Sequence, residues 1–156
     1  MTEDRSIQLD RMRFTKNTTS SRLALLAIVF DVLFFISIYK SDVDTYYYTV
    51  LIGASIIYNL VFLLSAFLCS EGVKNYKPLY SWIMIVLGLI QVARVFILPM
   101  SAHSAVAASG APVMGTAQFV RVLIYLIASA LCLFAGAVIN LNKSRALNAH
   151  IASLAQ

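Results

Sequence analysis

The sequence predicts an all-α fold, a four-transmembrane-helix bundle with both termini cytoplasmic, and three observations carry that expectation. Hydrophobic residues make up 60% of the chain and charged residues 12%, against about 45–50% and about 25% in soluble domains. The apolar residues gather into four continuous blocks, each near the roughly 20 residues needed to cross a hydrocarbon core. The basic residues fall unevenly between those blocks, which sets an orientation. At 156 residues the chain is one domain at most. A soluble fold of that size has too little interior for so much apolar surface, so the solvent is lipid.

The first block is "LALLAIVFDVLFFISIY", residues 23–39, and the second is "YTVLIGASIIYNLVFLLSAFLC", residues 48–69. The third covers about 79–100, and the fourth, "FVRVLIYLIASALCLFAGAVI", covers 119–139. Inside a bilayer every backbone N–H and C=O must be paired within its own segment, which selects helices. Membrane strands would alternate apolar and polar residues, and these blocks do not. Pro78 suits the first turn of the third helix. Pro99 is expected to kink or stop that helix. The Ala-, Ser- and Gly-rich connection that follows reads as a loop.

Orientation follows from the flanks. Arg5, Arg11, Arg13, Lys16 and Arg22 precede the first block, Lys74 and Lys77 lie in the second connection, and Lys143 and Arg145 follow the fourth block. The first connection has only Lys40 beside Asp42 and Asp44, and the third has no Lys or Arg. By the positive-inside rule the basic tail 1–22, the second connection and the tail 141–156 face the cytoplasm. The membrane domain covers 23–140, and the reading is a multi-pass protein of the cell membrane. The first block reads as an uncleaved anchor, because it lies behind a polar tail and exceeds a typical signal-peptide core. The sequon at Asn17 sits in the cytoplasmic tail and is read as chance. Tyr46, Tyr47 and Tyr48 at the outer side, with Tyr76, Tyr80 and Trp82 at the inner side, suit interfacial aromatic belts.

Polar residues within the blocks are the candidate site. Charged groups at a helix centre cost about 2.5–3.5 kcal/mol on insertion scales, so they need partners. At about 1.5 Å of rise per residue, Arg94 lies roughly 9 Å and Asp31 roughly 12 Å from the outer ends, with Gln91 and Asn59 roughly 13–17 Å deep. Gln91 and Arg94 are three apart and share a helix face. Asp31 is the one acidic residue in any block, so it is expected to pair with Arg94, with Asn59 and Gln91 completing the hydrogen bonds. Arg121 joins the set at a shallower level, where it can snorkel to headgroups. Three uses are open: an internal pair that orders the helices, an ion or solute site, or a pairing with another subunit.

On the fourth block, Ala128, Cys132, Gly136 and Asn140 recur every four residues, a small-residue face for close helix packing. The cysteines, Cys69 and Cys132, form no CxxC pair or metal-ligand spacing. His103 and His150 lie outside the blocks, so they cannot be paired haem ligands within the bundle. The Ser101–His103–Ser104 stretch lacks the acid a triad requires. No phosphate-binding glycine loop or HExxH motif occurs, so no metal, cofactor or catalytic role is assigned. The formal charge of +5 is accounted for by orientation rather than by nucleic acid. The N-terminal tail, with Ile7, Leu9, Met12 and Phe14 among basic residues, fits either surface binding to anionic lipid or solvated disorder. The stretch after residue 140 is rich in helix formers and suits an extension of the fourth helix.

Four spans with a single carboxylate in the first resemble, in outline, the small multidrug exporters. This chain departs from them in its greater length, its long tails and its internal arginine, so their mechanism is not carried over. The function read from the residues is a non-catalytic accessory, assembly or regulatory membrane component. An oligomeric transporter of a small solute or ion, using Asp31 and Arg94, is the alternative. The partners implied are the lipid bilayer and either further copies of the chain or a larger membrane complex.

Overall fold

The computed structural model describes residues 16–38, 46–104 and 114–154. These form four helices: α1 (Thr18–Ile38), α2 (Tyr46–Lys74), α3 (Pro78–Ser104) and α4 (Thr116–Leu154). Each is long and apolar enough to cross a membrane. The tyrosines at 46–48 form the start of α2, but their side chains lie outside the described residues, as do most of the first and third connections.

Helix α1 begins five residues before its apolar block because Asn17 caps it. The Asn17 side-chain oxygen accepts from the Ser20 amide at 3.5 Å, and its carbonyl accepts from Ser21 at 3.4 Å, satisfying first-turn donors that would otherwise be orphaned. Helix α2 ends in a tight turn, with the Asn75 amide donating to Gly72 and the Tyr76 amide to Val73. Tyr76 there has φ 56°, a left-handed conformation that usually falls to glycine or asparagine. Its ring is buried, so packing holds a conformation the backbone disfavours. Pro78 then opens α3. Of the two outcomes expected at Pro99, a kink or a stop, the stop does not occur, and the helix continues to Ser104. In its last turns the Ser101 hydroxyl donates to the Ile97 carbonyl at 2.5 Å and the Ser104 hydroxyl to the Met100 carbonyl at 2.9 Å.

The helices form a ring in which sequential neighbours touch and α4 closes back on α1. The α3–α4 and α1–α4 seams are the most extensive, α1–α2 is intermediate and α2–α3 is the thinnest. Neighbours run antiparallel: the Asn17 amide donates to the carbonyl of Lys74 at 3.0 Å, and Asn140 of α4 reaches Lys77 and Ser81. Close approach depends on missing side chains. A Cβ on Gly72 would lie 2.2 Å from the Tyr80 ring, and one on Gly136 would lie 2.7 Å from the end of Met84 and 3.3 Å from the Ser20 carbonyl.

The apolar core comes in two parts. One holds Ala27, Phe62, Cys69, Met84, Leu87 and Leu133, and the other holds Phe34, Ile38, Ala102, Val122 and Leu126. On α1, α3 and α4 a polar layer lies between them, and α2 adds Ser55 and Asn59 to that layer. Around the outside runs an apolar surface, with Leu60 63% and Phe96 64% exposed. Such continuous exposed hydrophobic area would be a liability in water and is ordinary against acyl chains.

Candidate functional site

Each helix contributes to the polar layer. From α1 comes Asp31, from α2 come Ser55 and Asn59, from α3 come Gln91 and Arg94, and from α4 comes Ser129; all are buried. Arg94 Nη1 donates to Asp31 Oδ1 at 2.8 Å and to Gln91 Oε1 at 3.1 Å. Its Nη2 donates to Asn59 Oδ1 at 2.6 Å and to Ser55 Oγ at 3.2 Å. Gln91 Nε2 donates to Asp31 Oδ1 at 2.9 Å and to Ser129 Oγ at 3.2 Å, and the Ser129 hydroxyl donates to the Ala27 carbonyl at 3.0 Å. The guanidinium carbon lies 4.5 Å from the Phe34 ring centre and 4.3 Å from that of Tyr58. Aromatic faces favour a cation most where water is excluded.

The spacing of these residues explains the arrangement. Ser55 and Asn59 are one turn apart on α2, and Gln91 and Arg94 are one turn apart on α3, so each pair shares a face. Arginine suits the central place because its planar fork presents several donors in fixed directions. The ion pair is internal, with side-chain exposures of 8% for Arg94 and 1% for Asp31. Thus Asp31, Asn59, Gln91 and Arg94 meet as one group. Arg121 does not join it: it is exposed and borders a separate depression near the other end of α1, with Ile36, Ser37 and Gln118. Its position early in α4 places it too far along the axis to reach Asp31.

Among the described residues, three buried polar atoms have no hydrogen-bond partner: Asp31 Oδ2, Asn59 Nδ2 and the Tyr58 hydroxyl. All three lie on α2 or in the α1–α2 seam, and two crevices flank that helix. One, of about 80 Å³, is lined by Asp31, Asn59 and apolar side chains of α1 and α2. The other, of about 200 Å³, lies in the α2–α3 seam and is lined by Ala54, Ser55, Tyr58, Ile90, Ala93, Arg94 and Ile97.

A second polar group sits at the basic end of the bundle. Asn17 Nδ2 donates to Ser20 Oγ at 2.8 Å and to Asn140 Oδ1 at 2.9 Å. Asn140 Nδ2 donates to Ser81 Oγ at 2.7 Å and to the Lys77 carbonyl at 3.2 Å, and Lys143 Nζ donates to Asn17 Oδ1 at 3.2 Å. Ser21 and Ser70 share a hydrogen bond at 2.7 Å. Asn17 is thus fully buried with its amide nitrogen engaged, and the sequon around it serves as a cap and a cross-helix tie. Of the small-residue face on α4, Gly136 and Asn140 are buried while Ala128 and Cys132 are partly buried.

Ser129, Phe34 and Tyr58 were not among the residues singled out from the sequence. Ser55 carried a usable signal, since it precedes Asn59 by one turn. Ser129 and the two aromatic rings carried none, because serine and aromatic residues are ordinary in membrane helices. Cys69 and Cys132 are both free thiols. Among the described residues no group of three or more His, Cys, Asp or Glu is placed to hold a metal ion. At the end opposite the basic one, the His103 ring stacks on Phe119 with centres 4.5 Å apart, and its Nδ1 meets the Met114 carbonyl at 3.1 Å. No family model, curated protein or solved structure matches the chain.

Proposed function

We propose that this small multi-pass membrane protein is a non-catalytic accessory or assembly component, and that the Asp31–Arg94 network holds its four helices in one order. The observation that carries the reading is the way Arg94 is used. The N–H groups of its two η nitrogens go to side chains of three helices, and two aromatic rings cover its faces. A cation so completely engaged acts as a strut. We place Lys74, Lys77 and Lys143 on the cytoplasmic side of the cell membrane, with both termini there, from the distribution of basic residues. A green fluorescent protein fused after Gln156 is then expected to fluoresce in cells; a dark fusion together with an active periplasmic reporter would reverse the orientation.

A second reading is favoured by one observation. Asp31 and Asn59 each keep an unpartnered buried atom and border the same crevice, as a residue that exchanges a proton or ion requires. Two experiments decide between them. Tagged protein isolated in mild detergent is expected to bring down a second membrane chain, or further copies of itself, with Asp31→Asn reducing the yield of that complex. Pure monomer with no companion chain, together with Asp31-dependent proton flux in proteoliposomes, would establish the transport reading instead.

A further inference from the structure

Arg121 runs against the distribution of charge that orients the chain. Apart from the buried Arg94, every other Lys and Arg of the described residues lies toward the end marked by Lys74, Lys77 and Lys143, whereas Arg121 lies at the opposite end, five residues into α4. We propose that the depression bordered by Arg121 binds the phosphate of an anionic phospholipid. The depression, about 290 Å³, opens between α1 and α4 and is lined by Ile36, Ser37, Ala117, Gln118 and Arg121. Gln118 Nε2 donates to the Ser37 carbonyl at 2.9 Å, which ties its two walls together. Ser37 is one residue from the end of α1, and Arg121 lies roughly 7–8 Å along the axis from the start of α4, so both reach the headgroup level. Ile124, one turn deeper on the same face, is exposed, as is Ile36, and the two give acyl chains an apolar track beside the depression. The volume is just below the roughly 300–1,000 Å³ of sites that enclose a whole small ligand. It takes a headgroup, with the acyl chains left in the bilayer.

Charge selects the headgroup. Among the described residues Arg121 forms no ion pair or hydrogen bond. The acids of those residues are Asp31, enclosed with Arg94, and Glu71, paired with Lys74 at the basic end. An unpaired guanidinium is a fork that takes two phosphate oxygens at once. The start of α4 adds the positive end of a 39-residue helix, which favours the same sign of ligand. A phosphatidylglycerol head carries one negative charge and balances Arg121. A zwitterionic head brings its own ammonium, which finds no described carboxylate there, and leaves the guanidinium charge uncompensated. The proposal rests neither on the Asp31–Arg94 network nor on which leaflet this end of the bundle faces.

The test uses the full chain in phosphatidylcholine proteoliposomes containing a rising mole fraction of phosphatidylglycerol with a diazirine near its headgroup. Labelling at residues 36–37 and 117–124 is expected to saturate at low mole fraction, while labelling of the other lipid-facing residues in the middle of the helices rises in proportion. Arg121→Gln is expected to raise the half-saturating fraction about five- to tenfold, the effect of one charge or one charge-assisted hydrogen bond. Arg22→Gln, an exposed change at the basic end, is expected to leave that fraction unchanged. Ala117→Phe, or Ile36→Trp on the facing wall should the first misfold, is expected to abolish saturation. Arg121, Ala117 and Ile36 are all exposed, so an unchanged melting temperature separates loss of the site from loss of the fold. Asp42 and Asp44, in the connection after α1, are the rival partners for Arg121. Their joint change to Asn is expected to leave the curve in place, and saturation seen only in that variant would assign Arg121 to them instead. Proportional labelling at this end, an unshifted curve in Arg121→Gln, equal saturation by a matching phosphatidylcholine probe, or displacement by millimolar glycerol 3-phosphate would each overturn the proposal. The first three results describe an arginine that reaches among headgroups without preference, and the last describes a site for free phosphate esters.

Discussion

Replacing Asp31 by asparagine keeps the shape of the side chain and removes its charge, leaving Arg94 6% exposed with no counter-ion. Two effects compete to set the cost. Hydrogen bonds between membrane helices average only about 0.6 kcal/mol in mutational cycles, and an asparagine oxygen can still accept from Nη1. On that basis alone the change costs about 1 kcal/mol. Removing one partner of a buried ion pair costs about 3–5 kcal/mol, and the charge effect therefore dominates. The lower end applies because Phe34 and Tyr58 continue to cover the guanidinium, and such contacts contribute about 0.5–2 kcal/mol. Arg94→Met is expected to cost a similar amount, since it leaves the carboxylate with Gln91 as its remaining donor. The double variant Asp31→Asn/Arg94→Met contains no buried charge and is expected to cost about 1–3 kcal/mol, the penalty of unpaired Ser55 and Asn59 groups. The coupling between the two positions is then about 3–5 kcal/mol in the compensating sense. It is measurable by titrating sodium dodecyl sulfate into dodecyl maltoside micelles and following circular dichroism. Additivity to within about 0.5 kcal/mol, or an Asp31→Asn cost below about 1 kcal/mol, would refute the argument that the pair organises the bundle.

Gly72→Ala is expected to destabilise by about 1–3 kcal/mol through overpacking, because the new Cβ meets the Tyr80 ring at 2.2 Å. Gly136→Ala should cost less in the same titration, since the nearest atom is the movable end of Met84 and alanine gains about 1 kcal/mol of helix propensity. Asn140→Ala removes three hydrogen bonds at the basic end and is expected to speed amide exchange at the start of α1, with a loss of about 1–3 kcal/mol; unchanged exchange at residues 18–21 would contradict that tie. Burial pushes the Tyr76 phenol above its ordinary value of 10.0, so above that pH the unfolded chain releases a proton the folded chain retains. Stability from this group therefore falls as pH rises above about 10. Tyr76→Phe is expected to flatten the alkaline limb of the stability profile, and an identical limb in both proteins would rule the effect out.

How far the site could be read from the chain is clearest at Asp31 and Arg94. A single carboxylate and a guanidinium at similar depth in separate apolar blocks have few other ways to be accommodated in lipid, and their meeting follows from the cost of leaving either alone. Gln91 was legible for the same reason of spacing. Ser129 was not, because a hydroxyl in a membrane helix has a ready partner in its own backbone, and only the arrangement of neighbours shows it reaching across to Ala27 and Gln91. Arg121 was grouped with the others on composition, and its place early in α4 sets it apart.

Apolar block length and the cost of unpaired backbone in lipid determined four helices without reference to any contact, since both are properties of a segment and its solvent. Which helices are neighbours is a different matter. A lipid-facing side and a partner-facing side look alike when both are apolar, so the closure of α4 on α1, the thin seam beside α2 and the crevices that flank it came from packing alone. The same holds for Asn17 and Pro99. The surroundings turned a sequon into a cap, and a helix runs on through a proline.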